Sequence, residues 1–446
     1  MKLLDQAKLT WKQDPLLRTI IKNSGYLFSS HSISLILSMV QSILAARLLG
    51  IGDFGVLGTI TVFVSNVNRL FSFRMSELVV KYFGHALAEN DKTRAAAVVK
   101  VAMLAEASTS LLAFVMVMLL TPWAAESMAK DPTTASWFRI YGVTILANLV
   151  YESSTGVLQV TRHFSSQAWL NIGQSVLTAV LITAAFLMKG NFLWVLLAYL
   201  AGKLVLGLGP VVVALRVLRE TLGTGWWKAN LNLLPGRKGM LKFAVSTNLT
   251  STVRLLVRDS ELLWIAYFLS PVEVGYYKVA WAIINLIMIP VDPLNSTSYP
   301  ELARCAAEKN WQQLRGLLRR ISSISGVWTA ACVVGLVLLG PWLVLLYGPD
   351  TGPAYPILLV LLVGFGLSTF MFWNRSILLA FNQPGYALKV MTYAGLVKTA
   401  LAFVVIPRFG YLGEAALMSG FLVVSVGLCI WRSLRLVKAA EEGQEI

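Results

Sequence analysis

The sequence predicts an all-α polytopic membrane protein with about twelve transmembrane helices in two six-helix lobes. The first observation is composition: 57% of the 446 residues are hydrophobic, 13% are charged, and the mean hydropathy is +0.68. Soluble domains carry about twice this fraction of charge, which excludes an ordinary soluble enzyme and a disordered chain. The other two observations are a series of long apolar stretches and a repeat at half the length of the chain.

Twelve apolar stretches alternate with short clusters of Gly, Pro and polar residues, for example at 50–53, 382–385 and 407–408. Each stretch is long enough to cross a hydrocarbon layer of about 30 Å. The connections left between them average roughly 11 residues, which is too short for an additional soluble domain. We predict spans at 24–48, 54–83, 96–120, 136–160, 166–188, 192–215, 243–268, 274–300, 321–346, 354–381, 386–406 and 411–431.

The basic residues predict the orientation of these spans. With both termini inside, 25 of the 38 Lys and Arg residues lie on the cytoplasmic face, six lie on the outer face, and the others lie within spans. This bias follows the positive-inside rule and accounts for most of the net charge of +16. We therefore predict a multi-pass membrane protein with both termini cytoplasmic. The bilayer is a partner, and no nucleic-acid partner is needed.

The chain repeats at an offset of about 220 residues. The sequence ARLLGIGDFGVLG at 46–58 aligns with AYFLSPVEVGYYK at 266–278, which pairs Gly55 with Gly275. LLTPW at 119–123 aligns with LLGPW at 338–342. Gly190 aligns with Gly410, and we predict that each begins the final hairpin turn of its half. Six spans per half give both halves the same orientation, a plan common in transporters that bind their cargo between the halves.

This repeat predicts the organisation of the chain. Residues 1–23 form an amphipathic cytoplasmic segment, 24–218 the N-terminal six-helix lobe, 219–241 a cytoplasmic linker, 242–437 the C-terminal six-helix lobe, and 438–446 a cytoplasmic tail.

Charged side chains within the spans are the candidate binding residues. A charge at the middle of a bilayer costs at least about 2.5 kcal/mol, so it must face protein or water, or be paired. Arg69 and Arg254 have no carboxylate at positions i±3 or i±4, and they lie near mid-membrane in opposite halves. Guanidinium groups bind phosphate well, so the pair predicts a central anion site. The alternative is pairing with acidic residues of other helices. The seven in-span cations are Arg69, Arg74, Lys203, Arg254, Arg258, Arg375 and Lys398.

Arg74 and Arg258 fit either of two roles. Each has a carboxylate three residues later, Glu77 and Glu261, so each is a candidate for the anion site or for a local ion pair.

The in-span carboxylates Glu77, Asp259 and Glu261 are counter-ions or ion-coupling groups. Asp292 lies among prolines in the eighth span and belongs to the same set. Lys203, Arg375 and Lys398 stand alone on their helix faces, which favours a structural role or side chains that reach the interface.

Enzyme signatures are missing from the sequence. It contains no GxxxxGK[ST], DxD or HExxH motif, and its three cysteines have no CxxC spacing. We therefore predict a protein that is not an enzyme, with no catalytic residues, no cofactor and no metal site.

Several turns resemble those of a known family. ARLLGIGDFGVLG ends the first span, FLSPVEVGYY follows the seventh, and Pro300-Glu301-Leu302 follows the eighth. YGPDTGPAY at 347–355 and PRFGYLGEAAL at 407–417 fit the same pattern. The chain thus resembles polysaccharide (O-antigen, Wzx-type) flippases of the multidrug/oligosaccharidyl-lipid/polysaccharide exporter superfamily, over nearly its whole length.

The resemblance implies a V-shaped cavity lined by the first, second, seventh and eighth spans. Its cargo would be an undecaprenyl-pyrophosphate-linked oligosaccharide. Alternating access would move it from the inner to the outer leaflet of a bacterial inner membrane for surface polysaccharide or O-antigen biosynthesis. The matching cationic positions are Arg69, Arg74, Arg254 and Arg258. Polysaccharide polymerase machinery would be a partner.

Three other functions are open on the sequence. A cation-coupled exporter of drugs or organic cations would use the acidic residues instead. A lipid II flippase usually has two further spans. A membrane-embedded glycan polymerase or ligase would carry a large outer loop, whereas the longest predicted outer connection, about 121–135, holds only Glu126 and Asp131.

Overall fold

The computed structural model describes residues 15–73, 75–231, 237–289 and 291–442, and at 15–28, 237–238, 246–247, 250, 292–293, 296–297 and 384 it describes the backbone alone. These residues are almost entirely helical, and no strand occurs in the described ranges. The helices are α1 Pro15–Phe71, α2 Ser76–Ala88, α3 Lys92–Ser127, α4 Ala135–Gly142, α5 Thr144–Ala147, α6 Tyr151–Val160, α7 Phe164–Leu187, α8 Phe192–Leu222, α9 Arg237–Arg258, α10 Glu261–Phe268, α11 Pro271–Ile284, α12 Val291–Ala307, α13 Trp311–Leu345, α14 Ala354–Phe370, α15 Asn374–Ala380 and α16 Pro384–Glu441. Short 3₁₀ turns lie at Pro132–Thr134, Trp226–Lys228, Asn285–Met288 and Pro349–Thr351.

Seven helical stretches within the described residues are long and apolar enough to cross a membrane. They are Ser29–Phe71, Lys92–Ser127, Phe164–Leu187, Phe192–Leu222, Trp311–Leu345, Ala354–Ala380 and Gly385–Glu441. The all-helical class predicted from the sequence is confirmed, whereas the number of twelve spans stays a prediction.

The two longest stretches are each interrupted at one glycine. Gly50 in α1 has φ 77° and ψ 166°, and Gly410 in α16 has φ 61° and ψ −149°. Side chains other than glycine rarely adopt such positive φ values, so the chain changes direction where glycine permits it. Each of these helices therefore comprises two helical segments. The interruption at Gly50 lies in the predicted cluster 50–53, and the interruption at Gly410 lies two residues after the predicted cluster 407–408.

The three predicted spans that lie outside these seven stretches are divided into shorter helices. The stretch 136–160 contains α4, α5 and α6; the stretch 243–268 contains α9 and α10; and α11 and α12 are separated by the 3₁₀ turn Asn285–Met288. These pieces do not reach the length and apolarity of a single spanning helix. Irregular backbone at membrane depth is tolerated where it is buried in protein or lines a water-filled cavity.

Helix boundaries recur along the chain at nearly the spacing of the sequence repeat. α7 begins at Phe164 and α16 at Pro384, 220 residues later. Gly190 lies in the turn between α7 and α8, Gly410 interrupts α16, and these two glycines are also 220 residues apart. The 3₁₀ turns Pro132–Thr134 and Pro349–Thr351 each precede a new helix and lie 217 residues apart. The repeated sequence motifs thus occur at similar positions in repeated helices.

The described residues form two compact units. Unit 1 comprises 1–41, 67–119 and 139–248 in their described parts. Its core packs apolar side chains of α2, α3, α6 and α8 together, including Val79, Phe83, Val99, Val157 and Leu218. α7 and α8 pack along each other in the same unit.

Unit 2 comprises 42–66, 120–138 and the described part of 249–446. It therefore includes two segments of the predicted N-terminal lobe, 42–66 and 120–138, together with the predicted C-terminal lobe. The predicted lobes, separated by the linker 219–241, are defined by the repeat in the sequence. The compact units are defined by contacts in three dimensions, so their boundaries differ from those of the lobes. Among its own elements, α14 packs along α16 and on α11.

A close backbone contact joins two of the segments within unit 2. A Cβ atom added to Gly55 of α1 would overlap the carbonyl oxygen of Pro271, and one added to Gly275 of α11 would overlap that of Ile51. These are the two glycines that the repeat aligns. Beside them, Lys278 Nζ lies 3.8 Å from the centroid of the Phe54 ring, a cation–π distance. Only glycine allows the two helices to approach this closely.

Candidate functional site

The structure describes three of the four predicted arginines. Arg69 is exposed in the last turn of α1, Arg254 is exposed on α9, and Arg258 is half-buried as the last residue of α9. Arg74 lies outside the described residues. Arg69 belongs to unit 1, while Arg254 and Arg258 belong to unit 2.

The predicted carboxylates differ in their environments. Glu77 is exposed in the first turn of α2, and Asp259 is half-buried between α9 and α10. Glu261 is buried as the first residue of α10. Asp292 lies in α12, but its side chain is outside the described part of the chain. The three described carboxylates therefore differ in burial, from exposed to buried.

Helix interruptions lie next to the predicted arginines. α1 ends at Phe71, two residues after Arg69, and α9 ends at Arg258 itself. Hydrogen bonds from neighbouring side chains stabilise the interruption after α9. The Asn66 side-chain amide donates to the carbonyl oxygen of Asp259 (3.1 Å), and the Ser260 hydroxyl donates to that of Leu255 (2.8 Å). Interrupted helices at mid-membrane are a common setting for ion and substrate sites.

A buried ion cluster lies in unit 2. Lys398 Nζ is 2.8 Å from Glu261 Oε1 and 3.2 Å from Glu414 Oε1, and the exposed fractions of the three side chains are 4%, 3% and 0%. Lys398 also donates to the carbonyl oxygen of Val257 at 3.2 Å. The cluster joins α10 to both segments of α16.

The cluster holds two carboxylates against one ammonium. Tyr277 of α11 is close enough to interact electrostatically with Glu261 and Glu414. Its buried hydroxyl has no hydrogen-bond partner among the described residues. An excess of negative charge in a buried place is costly unless a proton, a cation or ordered water compensates it. The site therefore has the composition needed to take up one positive charge.

The ion pairs of this cluster differ from the pairing that the sequence predicted. Glu261 was a candidate partner for Arg258, and the structure shows it paired with Lys398. Lys398 has no acidic residue at neighbouring positions of its helix, and the sequence favoured a structural role or a side chain that reaches the interface; in the structure this side chain is buried. Glu414 was not singled out. The signal available was an acidic residue at a helix start after Gly410, in a segment otherwise free of carboxylates.

A second buried carboxylate organises unit 1. Glu106 of α3 accepts hydrogen bonds from the backbone N–H groups of Glu152 and Ser153, both at 2.7 Å. These are donors of the first turn of α6, which helical hydrogen bonds leave unsatisfied. Glu152 Oε2 in turn accepts from the hydroxyl of Ser76 on α2 (2.7 Å). Glu106 and Glu152 thus connect α2, α3 and α6 within unit 1.

The other in-span cations are exposed. Lys203 on α8 and Arg375 on α15 both have exposed side chains. Three or more His, Cys, Asp or Glu side chains arranged to hold a metal ion are not found among the described residues.

Comparison with known proteins identifies the family. A family model described as polysaccharide biosynthesis protein matches residues 20–306. The inner membrane protein YghQ of Escherichia coli (strain K12) is 24% identical over 349 residues, which cover 78% of this chain and 98% of YghQ. A probable flippase, AglR of Haloferax volcanii, is 27% identical over 154 residues, 34% of this chain and 32% of AglR.

Solved structures share the fold. An inward-facing multidrug resistance MATE family transporter of the MOP superfamily has a TM-score of 0.73 at 14% identity, covering 92% of this chain and 96% of the transporter. The lipid II flippase MurJ in an inward closed conformation has a TM-score of 0.67 at 14% identity, covering 93% and 90%. At these identities the likeness establishes the fold alone. With the apolar helices, it makes this chain a multi-pass membrane protein.

Proposed function

Because this chain belongs to the polysaccharide biosynthesis protein family, we propose that it is a flippase for an undecaprenyl-pyrophosphate-linked oligosaccharide. It moves this cargo from the inner to the outer leaflet of a bacterial inner membrane by alternating access, in surface polysaccharide or O-antigen biosynthesis. The observation that carries the proposal is the family match over residues 20–306, which includes all four predicted arginines. A polysaccharide polymerase would then receive the cargo.

The architecture we propose has twelve spans in two six-helix lobes joined by the linker 219–241, with both termini cytoplasmic. The positive-inside distribution supports the orientation. The recurrence of helix starts such as Phe164 and Pro384 at the repeat spacing supports the two lobes.

The pyrophosphate binds the arginines. Arg69 and Arg254 have exposed side chains within predicted spans, and a charge at membrane depth faces water, a polar ligand or a paired group. Arg258 lies at an interrupted helix end, and Arg74 completes the predicted set. Guanidinium groups offer paired N–H donors that match phosphate oxygens. The glycan stays in water, while the lipid tail remains in the bilayer.

Two sources of driving force suit this cargo. A membrane potential that is negative inside favours outward movement of an anion by about 2.3 kcal/mol per charge per 100 mV. The cluster of Glu261, Lys398 and Glu414 adds a group for ion coupling, because it has one carboxylate more than it has ammonium groups. For Glu77, Asp259 and Asp292 we also propose a role as ion-coupling groups or as counter-ions of the arginines.

The alternative is a cation-coupled exporter of drugs or organic cations. The observation that favours it is the MATE-like fold. Against it, the buried carboxylates Glu261 and Glu414 already contact an internal cation, Lys398.

A binding experiment separates the two functions. Purified protein in nanodiscs is titrated with an undecaprenyl-pyrophosphate oligosaccharide and, separately, with tetraphenylphosphonium. We compare the wild type with Arg69→Ala/Arg254→Ala and with the control Arg319→Ala/Arg320→Ala, whose side chains are exposed near the start of α13. Loss of two charge-assisted hydrogen bonds should weaken lipid binding at least about tenfold in the first variant alone. Tetraphenylphosphonium binding that survives the substitutions, without lipid binding, would refute the flippase.

A further inference from the structure

Unit 1 contains a polar cavity, partly open to its surroundings, whose described lining includes neither the described arginines nor the buried ion cluster. Its volume is about 250 Å³, and its walls come from α2, α6, α7 and α8. Leu170 and Leu206 form an apolar side, and Tyr151 adds an aromatic ring. The remaining polar lining is Ser76, Glu152, Thr155, Gln159, Gln167 and Asn171.

Hydrogen bonds hold this lining in place. Glu106 fixes the first turn of α6 by accepting from two backbone N–H groups, and Ser76 orients the Glu152 carboxylate. The Gln167 side-chain amide donates to the carbonyl oxygen of Thr155 at 3.1 Å, which ties α7 to α6. A cavity whose walls are already ordered loses little entropy when it binds a ligand.

The lining chemistry selects for a neutral ligand rich in hydroxyl groups. Gln159, Gln167 and Asn171 carry carboxamides, each of which both donates and accepts hydrogen bonds. The described lining carries one carboxylate, that of Glu152, beside hydroxyl and carboxamide groups, and such a set suits the hydroxyl groups of a ligand better than a phosphate. Sites for drug-sized molecules measure roughly 300–1,000 Å³, so this cavity suits a single small ring.

The cavity lies near the side from which the cargo is loaded. The turn containing Arg162 connects α6 and α7 and is cytoplasmic in the predicted topology. Asn171 follows the start of α7 by about two turns, or roughly 10 Å along the helix. A glycan attached to a lipid in the inner leaflet would therefore reach the cytoplasmic end of α7, where the cavity lies, before it reaches the outer part of the protein.

We propose that this cavity binds one neutral monosaccharide unit of the cargo, separately from the pyrophosphate at the arginines. The proposal rests on the proposed flippase function and adds a glycan-recognition site to it. The carboxamides bind vicinal hydroxyls, Glu152 accepts from a further hydroxyl, and Tyr151 packs against the ring. Selection among cargoes would then occur in unit 1.

The test measures how much a sugar adds to binding. Full-length protein in nanodiscs is titrated with undecaprenyl pyrophosphate and with the same lipid carrying one N-acetylated hexose. The variants are Gln159→Leu, Asn171→Leu and the double variant, with Gln312→Leu of α13 as the control. Thermal unfolding of each variant shows that it is folded. Two lost hydrogen bonds should reduce the sugar-dependent gain in affinity about tenfold, with unchanged affinity for undecaprenyl pyrophosphate.

The outcomes separate this inference from the proposed function. Binding of neither lipid refutes the flippase itself. A sugar-dependent gain that the cavity variants leave unchanged refutes the cavity as the glycan site while the flippase stands. A photoreactive diazirine on the sugar provides an independent readout that needs no variant: labelling within 151–171 supports the proposal, and labelling confined to other segments overturns it. If Glu152→Gln abolishes binding of an amino-sugar lipid only, the neutral-ligand assignment is wrong.

Discussion

Replacement of Lys398 by methionine removes the ammonium that lies between two buried carboxylates. Methionine is similar in length and unbranched, so it fills nearly the same space without the charge. Glu261 and Glu414 would remain, with exposed fractions of 3% and 0%, and would lose their contacts of 2.8 and 3.2 Å to a cation. The variant thus isolates the electrostatic contribution of the cluster.

The size of the effect follows from the geometry. With an effective dielectric constant of about 20, each ion pair at these distances contributes roughly 5–6 kcal/mol of Coulomb attraction. Desolvation of the three charges offsets much of this attraction, so the net contribution is smaller. Removal of one partner from a buried ion pair typically costs about 3–5 kcal/mol, because the remaining charge is left uncompensated. We expect Lys398→Met to lower the free energy of unfolding by this amount.

Equilibrium unfolding in mixed detergent micelles, followed by circular dichroism, measures this quantity. The control is Lys389→Met on the same helix, where the lysine is exposed and the change should stay within about 0.5 kcal/mol. The triple variant Lys398→Met/Glu261→Gln/Glu414→Gln removes all three charges and should recover most of the lost stability.

Two results would refute the reasoning. A loss below about 1 kcal/mol for Lys398→Met would mean that the carboxylates are already compensated by another group. A triple variant as unstable as the sum of its single substitutions would mean that the three side chains do not interact, since coupled residues deviate from additivity.

Two further predictions concern packing and capping. Gly55→Ala places a methyl group against the Pro271 carbonyl and should lower the free energy of unfolding by about 1–3 kcal/mol. The control Gly173→Ala, with open space around it, should be neutral or slightly stabilising. Equal effects of the two substitutions in unfolding assays would contradict the backbone contact. Asp91 precedes α3, and the backbone N–H of Arg94 donates to its carboxylate at 2.9 Å, which lowers its pKa. Because a lowered folded-state pKa gives stabilisation that is lost as the pH falls through it, the protection factors of the amides at the start of α3, which are corrected for the intrinsic pH dependence of exchange, should fall in acid for the wild type. In Asp91→Ala these protection factors should be low at both pH values, and an identical pH response in both proteins would count against the cap.

Features that depend on composition and local sequence were predictable. Apolar stretches indicate helices because each backbone in a bilayer must satisfy its own hydrogen bonds. Gly50 and Gly410 were predicted as turns, and both have positive φ values in the structure. The aligned glycines Gly55 and Gly275 indicated a repeat, although the sequence did not indicate that they contact each other.

Features that join distant segments were not predictable. The ion pair between Lys398 and Glu261 links residues 137 positions apart, whereas pairing rules from sequence reach only three or four positions. The interruption of α9 at Arg258 also escaped prediction, since no proline or glycine marks it. Its stability comes in part from Asn66, which contacts Asp259 from 193 positions away.

The ion pair across Gly410 bears on biogenesis. Lys398 and Glu414 belong to consecutive segments of α16, and a straight helix would separate them by about 24 Å. Their contact therefore shows that the chain folds back at Gly410. Each charge alone would cost about 2.5–3.5 kcal/mol during insertion by the translocon. If both segments enter the membrane together as a helical hairpin, the pair forms within one inserting unit, and the cost is offset before the rest of the bundle assembles.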